Sequence, residues 1–252
     1  MTQKIRVGAV SYLNTKPLIF GFEQGKMEDR IELVIDYPAN VAAFLINDQI
    51  DAGLVPVAII PLLKEHYVIA DYGIACDGEV ASVCLFSDVP LAAIKSIYLD
   101  YQSRTSVELL KILLKEHWKI TPTLIIGAQN FENEIKGDTA GLVIGDRAFT
   151  QRLKSKYMYD LGLAWKEMTG MPFVFAAWIS NKKLPEDFIA AFNEANAIGL
   201  IKLDEVISRN PYPDFDLKAY YTQNIKFNLE PGMFTAMDLF LSKLNRNVEA
   251  IP

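Results

Sequence analysis

Short apolar runs alternate with amphipathic stretches along most of the chain. Runs rich in Val, Ile and Leu and bounded by turn residues predict strands at 5–10, 31–37, 52–55, 68–74, 82–86, 96–99, 121–126, 140–144 and 173–180. Between them the apolar spacing widens to that of a helix. Residues 38–47 put Val41, Phe44 and Leu45 on one face, and 105–118 do the same with Val107, Leu110, Leu113 and Leu114. The stretches 185–207 and 231–244 each begin at a proline, which suits a helix start because its missing N–H costs nothing there. This alternation predicts βαβ units, a mainly parallel sheet and an α/β fold.

The first strand leads into a loop of small polar side chains and then a helix with Pro17 in its first turn. Ser11, Asn14 and Thr15 thereby fall at the carboxyl end of a strand, facing the positive end of a helix. Small anions settle at such places in open α/β sheets. A plain strand-to-helix turn capped by Asn14 is the structural alternative. Three more strand ends offer candidates. Val55 and Pro56 close the stretch Gly53-Leu54-Val55-Pro56, which is also readable as an ordinary turn. Ser82 adds a hydroxyl on an apolar strand. Ser103-Arg104-Thr105-Ser106 opens the helix at 105 and is the best anion seat, with backbone N–H groups and three hydroxyls. Arg104 offers a bidentate contact or an outward salt bridge, and Ser103 is a good helix cap. Gly145 and Asp146 follow a strand and open a helix, where Asp146 serves as an N-cap or as a site residue; Asp160 is a further good cap. The aromatic stretch 165–178 either walls a ring-shaped ligand or fills the core.

Composition narrows the classes of function. Hydrophobic residues make up 51% and charged residues 22%, as in an ordinary soluble domain or pair of domains. A net charge of −6 without a basic cluster excludes a nucleic-acid footprint. It also leaves anion binding to local dipoles and a few cations. Cys76 and Cys84 lack the spacing of a zinc or redox pair and read as buried free thiols. With His66 and His117 as the only histidines, no metal site and no confident general base are expected. No glycine-rich phosphate loop or nucleophile elbow is present, so no cofactor and no nucleophilic triad are expected. The chain has no apolar run of about 18 residues to cross a membrane and no secretory leader pattern, so a cytoplasmic protein is expected.

The wording of several segments goes further. Ser11-Tyr12-Leu13-Asn14-Thr15-Lys16-Pro17-Leu18 closely resembles the N-terminal signature of the chorismate dehydratase family of the futalosine route to menaquinone. Ser103-Arg104-Thr105-Ser106-Val107, Ile144-Gly145-Asp146-Arg147-Ala148, and the stretch from Tyr159-Asp160-Leu161-Gly162 through Trp165 to Thr169-Gly170-Met171-Pro172-Phe173-Val174-Phe175-Ala176 resemble the same family in the same order. The resemblance implies a two-lobed fold of the type II periplasmic-binding-protein kind, with the ligand in a cleft between lobes. It implies a hydro-lyase acting without cofactor on a small dianionic substrate, chorismate; for that reaction Asn14 is expected to position the reacting ring and to orient or stabilise the leaving hydroxyl. Two rivals share the architecture: a solute-binding or ligand-sensing protein, and the sister enzyme that makes dihydroxynaphthoate. The second has an N-terminal motif rich in Ser, Pro and Asp, which residues 11–17 do not match.

A two-lobed reading needs the chain to cross between lobes inside structured segments, because no Gly-, Ser- or Pro-rich linker is present. Crossings are expected near 87–90 and 175–181. The first lobe then comprises 1–87 and 178–252, and the second is an insertion of 88–177.

Overall fold

In the computed structural model, which describes residues 4–248, each of the nine apolar runs forms a strand. The strands are β1 (Ile5–Val10), β2 (Ile31–Asp36), β3 (Ala52–Pro56), β4 (Tyr67–Cys76), β5 (Val83–Ser87), β6 (Ser96–Leu99), β7 (Thr123–Ile126), β8 (Thr139–Ile144), β9 (Tyr157–Asp160), β10 (Phe173–Ser180) and β11 (Lys226–Asn228). β9 and β11 are additions; each is too short and too mixed in polarity to stand out in the sequence. The helices are α1 (Lys16–Glu23), α2 (Pro38–Ile46), α3 (Thr105–Ile112), α4 (Asp146–Arg152), α5 (Leu161–Thr169), α6 (Glu186–Ile201), α7 (Leu203–Arg209), the single turn α8 (Leu217–Ala219) and α9 (Pro231–Val248). The expected helix at 185–207 is broken at Lys202, and the one at 105–118 passes into a π-helical stretch, Leu113–Trp118.

The strands form two sheets, ordered β11-β4-β10-β3-β1-β2 and β7-β6-β8-β5-β9. Both are mixed, which corrects the expected mainly parallel sheet. β2, β1 and β3 run parallel, as do β7, β6 and β8. β10 then enters the first sheet antiparallel to both β3 and β4, and β5 enters the second antiparallel to β8 and β9. β3 and β5 are buried along their whole length. Strands covered on both faces lose polar alternation, and for this reason they read as continuous apolar runs.

The first sheet takes its strands from both sides of the segment that builds the second. The chain passes between them at 77–82 and again through α5, not at 87–90 and 175–181. β5 hydrogen-bonds to β8 and β9 and so belongs wholly to the second sheet, while β10 is in the first sheet from Phe173 onward. The segment after Ser87 is a turn within the second sheet, where the Val89 N–H donates to Ser87 Oγ at 3.1 Å. Residues 1–3 and 249–252 of the expected first lobe lie outside the described residues. Cys76 and Cys84 are free and buried, as expected.

α1 is seated against α6 at unusually short range. A Cβ on Gly199 would lie 2.0 Å from the Pro17 carbonyl oxygen, and one on Gly21 would lie 2.2 Å from the Ala195 carbonyl oxygen. Both obstacles are backbone, so neither helix yields by a side-chain rotation. Gly199→Ala is therefore expected to destabilise the protein by about 2 kcal/mol or more in denaturant unfolding. The better helix propensity of alanine recovers only about 1 kcal/mol.

Candidate functional site

The two sheets present the ends of their strands to a common cleft of about 550 Å³, counted out to open solvent. The register of β10 sets Ala176 opposite Pro56 on β3 and opposite Ile74 on β4, and all three residues line the cleft. Between Val174 and Ala176 the pairing with β4 slips. Phe175 sits at this irregularity and turns into the cleft, a common use of a bulge beside a site. With Val10, Leu54, Val80, Val83 and Ile144, these residues make an apolar bed. Trp165 and Trp178, from the same aromatic stretch, belong to the core instead. Their indole N–H groups donate to Pro172 O at 3.0 Å and to Asn196 Oδ1 at 2.8 Å.

Polar groups reach this bed from three segments. Leu13–Thr15 forms a 3-10 turn between β1 and α1, bringing Asn14 and Thr15 to the cleft. Asn14 caps no helix; its Oδ1 accepts from Thr15 Oγ1 at 3.3 Å. Ser82 comes from the first crossing, and Ser103, Thr105 and Ser106 from the start of α3. The seat at α3 is narrower than expected. Ser103 Oγ accepts the Ser106 N–H at 3.1 Å, so this N–H is already taken. Thr105 Oγ1 accepts the Ala58 N–H at 3.1 Å, tying the segment after β3 to α3 and leaving the threonine proton to donate.

Eight of the twelve residues singled out from the sequence thus meet in one cleft: Asn14, Thr15, Pro56, Ser82, Ser103, Thr105, Ser106 and Gly145. Four do not line it. Ser11 and Arg104 are exposed, Val55 is buried in β3, and Asp146 turns to the backbone of the neighbouring loop. Nor do the histidines take part. His66 is exposed, and His117 pairs with Glu167 at 3.4 Å. Among the described residues no ionisable acid or base other than the phenol of Tyr12 lines the cleft. No group of His, Cys, Asp and Glu side chains among them is arranged to hold a metal ion.

Ser82 is placed by strain and by one buried carboxylate. Asp160 caps α5 as expected, accepting the Leu163 N–H at 3.0 Å. It also accepts the N–H groups of Val80 at 3.1 Å and Ala81 at 2.7 Å. Ala81 is held at φ 64°, a left-handed conformation that costs an ordinary L residue about 1–2 kcal/mol. Burial pushes the Asp160 carboxyl up from the usual range, against the pull of its three N–H donors.

Tyr12 escaped the site reading. Its ring lines the cleft and its hydroxyl donates to Gln102 Oε1. Arg147 donates to the same oxygen at 3.1 Å and to both oxygens of Asp100 at 2.8 and 2.7 Å. Gly145 lies under the Tyr12 ring at φ 63°, and an added Cβ would meet the ring at 2.9 Å. Both the backbone and the ring therefore require glycine there.

Asp146 opens α4 without capping it. Its carboxylate reaches across to the 3-10 turn and accepts the Leu13 N–H at 3.1 Å. Burial pushes its pKa up to about 6, against the pull of this N–H, Lys16 and Arg147. The folded protein thus keeps a proton that the unfolded chain releases near pH 4. The stabilisation from this proton is complete below about pH 4 and lost as pH rises through about 6, and it is worth at most about 3 kcal/mol. In Asp146→Asn this component of the pH dependence is expected to vanish, which denaturant unfolding across pH 4–7 measures.

Two mixed α/β sheets joined by two crossings, with a cleft at their strand ends, make a periplasmic-binding-protein-like fold. A protein of Archaeoglobus fulgidus matches it with a TM-score of 0.75 at 17% identity, covering 99% of each chain. The periplasmic aliphatic sulphonate binding protein SsuA of Escherichia coli matches with a TM-score of 0.65 at 13% identity, over 100% of this chain and 95% of its own. The chain belongs to the menaquinone biosynthesis family, whose model matches residues 5–246. Two relatives are chorismate dehydratases. That of Thermus thermophilus is 27% identical over 221 residues, 77% of this chain and 79% of its own. That of Campylobacter jejuni is 27% identical over 233 residues, 88% of each.

Proposed function

We propose that the protein is a hydro-lyase of the futalosine route that dehydrates chorismate to 3-[(1-carboxyvinyl)oxy]benzoate. The observation that carries this reading is the chemistry of the cleft: an apolar bed with hydroxyl and amide groups and, among the described residues, no ionised side chain on its lining. Such a site offers no strong acid or base, and this reaction asks for little from either. A proton leaves C3, the hydroxyl leaves C4, the two depart as water, and the ring becomes aromatic. The enolpyruvyl carboxylate of the substrate is placed to take the C3 proton itself. An oriented intramolecular base has an effective molarity on the order of 10⁵ M or more.

The residues of the chain bind and orient. Ser103, Thr105 and Ser106 hold one carboxylate through neutral donors. Val10, Leu54 and Phe175 wall the ring, and Asn14 hydrogen-bonds the departing hydroxyl. Membership of the menaquinone biosynthesis family and the names of the two relatives support this assignment. The test is purified protein with chorismate alone, followed by loss of the diene absorbance and mass spectrometry. A product lighter by one water is expected. Chorismate that is bound but unchanged would overturn the enzymatic reading in favour of a binding role.

A further inference from the structure

Tyr220 lies 138 residues from Ser82 in the chain, yet its hydroxyl donates to Ser82 Oγ at 2.7 Å. It stands at the start of a π-helical turn, Tyr220–Asn224, that follows α8. Such turns bring adjacent side chains to directions a regular helix does not offer. Here the next residue, Tyr221, donates its hydroxyl to Leu13 O at 2.8 Å, on the turn that carries Asn14. The Tyr220 ring is 1% exposed and wedged against Phe149, with centroids 5.0 Å apart, and against Phe215 at 5.9 Å. Its position is therefore set by packing.

From the sequence alone Ser82 is a lone hydroxyl with a free rotor. The buried phenol changes that. A phenol has one proton, and this one is given to Ser82 Oγ. Ser82 then keeps its own proton for a partner on the cleft side. The Asn14 side chain lies on the turn that Tyr221 holds, and its Oδ1 accepts from Thr15 Oγ1 at 3.3 Å. The donation thus runs from Tyr220 to Ser82 and ends at the cleft. Burial holds the Tyr220 phenol protonated far above its ordinary range, so this direction does not reverse at working pH.

We infer that Tyr220 is a positioning residue for the dehydration: by donating to Ser82 Oγ it fixes the Ser82 hydroxyl as a hydrogen-bond donor to the substrate. This rests on the chorismate reading. Within it, Ser82 donates to an oxygen that gains negative charge as the C4 hydroxyl departs or that carries it in a carboxylate. A donor held in place before the reaction needs no reorganisation as the charge develops.

The experiment is a double-mutant cycle on the full chain with Tyr220→Phe, Ser82→Ala and the pair, each assayed for kcat and KM with chorismate and for melting temperature. Tyr220→Phe is expected to lower kcat about 10- to 100-fold with KM changed far less, and Ser82→Ala to lower it by a similar factor. The pair is expected to cost no more than the worse single variant, because Tyr220 acts through Ser82. A structural role would instead lower the melting temperature without coupling the two effects on kcat. Wild-type kcat in Ser82→Ala, or effects of the two changes that multiply, overturns the inference while leaving the dehydratase reading in place. A folded wild type that leaves chorismate unchanged overturns both. Should Tyr220→Phe not fold, Ser82→Ala alone still decides, since the inference requires its loss of turnover.

Discussion

Asn14→Asp is expected to lower turnover of chorismate by at least about 100-fold, the scale seen when one preorganised donor is lost from a reacting centre. The two side chains have nearly the same shape, so packing is not what changes. An amide offers two N–H donors, and a carboxylate offers only acceptors. The introduced charge would also lie one residue from Leu13, whose N–H already serves the Asp146 carboxylate. The two carboxylates at this short turn repel each other and a dianionic substrate. KM is expected to rise along with the fall in kcat, because the repulsion acts on bound substrate and transition state alike. Steady-state kinetics at pH 7 and 8 check this, with unfolding curves to show that the fold is retained. Near-normal turnover would remove Asn14 from the mechanism.

Asp160→Ala is expected to destabilise the protein by about 3–5 kcal/mol, a large part of the 5–15 kcal/mol that holds a typical domain together. Asp160 is 7% exposed and is the acceptor for three backbone N–H groups. Truncation leaves all three buried without a partner, at about 1–3 kcal/mol each before relaxation. It also releases Ala81 from its left-handed conformation, and with it the aim of Ser82. Asp160→Asn keeps one acceptor oxygen and is expected to recover part of the loss. Equilibrium denaturation measures both, and an Asp160→Ala midpoint equal to wild type would show that the crossing segment is held by other contacts.

These two residues also mark how far local sequence carries. Asp160 was legible as a helix cap because capping is decided within three residues, and the Leu163 N–H confirms it. Its grip on Val80 and Ala81 was not legible, since 80 residues separate the partners. Asp146 shows the converse. Its place at a helix start suggested a local cap, but the carboxylate is spent on Leu13, 133 residues away. Ser103, Thr105 and Ser106 were legible because a hydroxyl-rich helix start has one ready use. Tyr12 looks like a core residue in the sequence, and the aromatic stretch that holds Phe175 reads equally as wall or core, because an apolar cleft wall and an apolar core draw on the same side chains.

By itself the sequence determined the α/β class, nine strands and their approximate bounds, the polar turns that bring Asn14, Thr15, Ser103, Thr105 and Ser106 to the cleft, and the resemblance to one enzyme family. All of these depend on neighbours within a few residues, or on short motifs. Tertiary structure alone decided that the sheets are mixed, that the chain crosses at 77–82 and through α5, and that Ser82 meets a buried phenol. Each of those facts depends on which strand β10 pairs with, or on where a tyrosine near the C-terminus comes to rest. Hydrophobic burial is non-directional and says only that such groups go inside. Their pairing is selected by the one packing that also satisfies the buried N–H and hydroxyl groups around them.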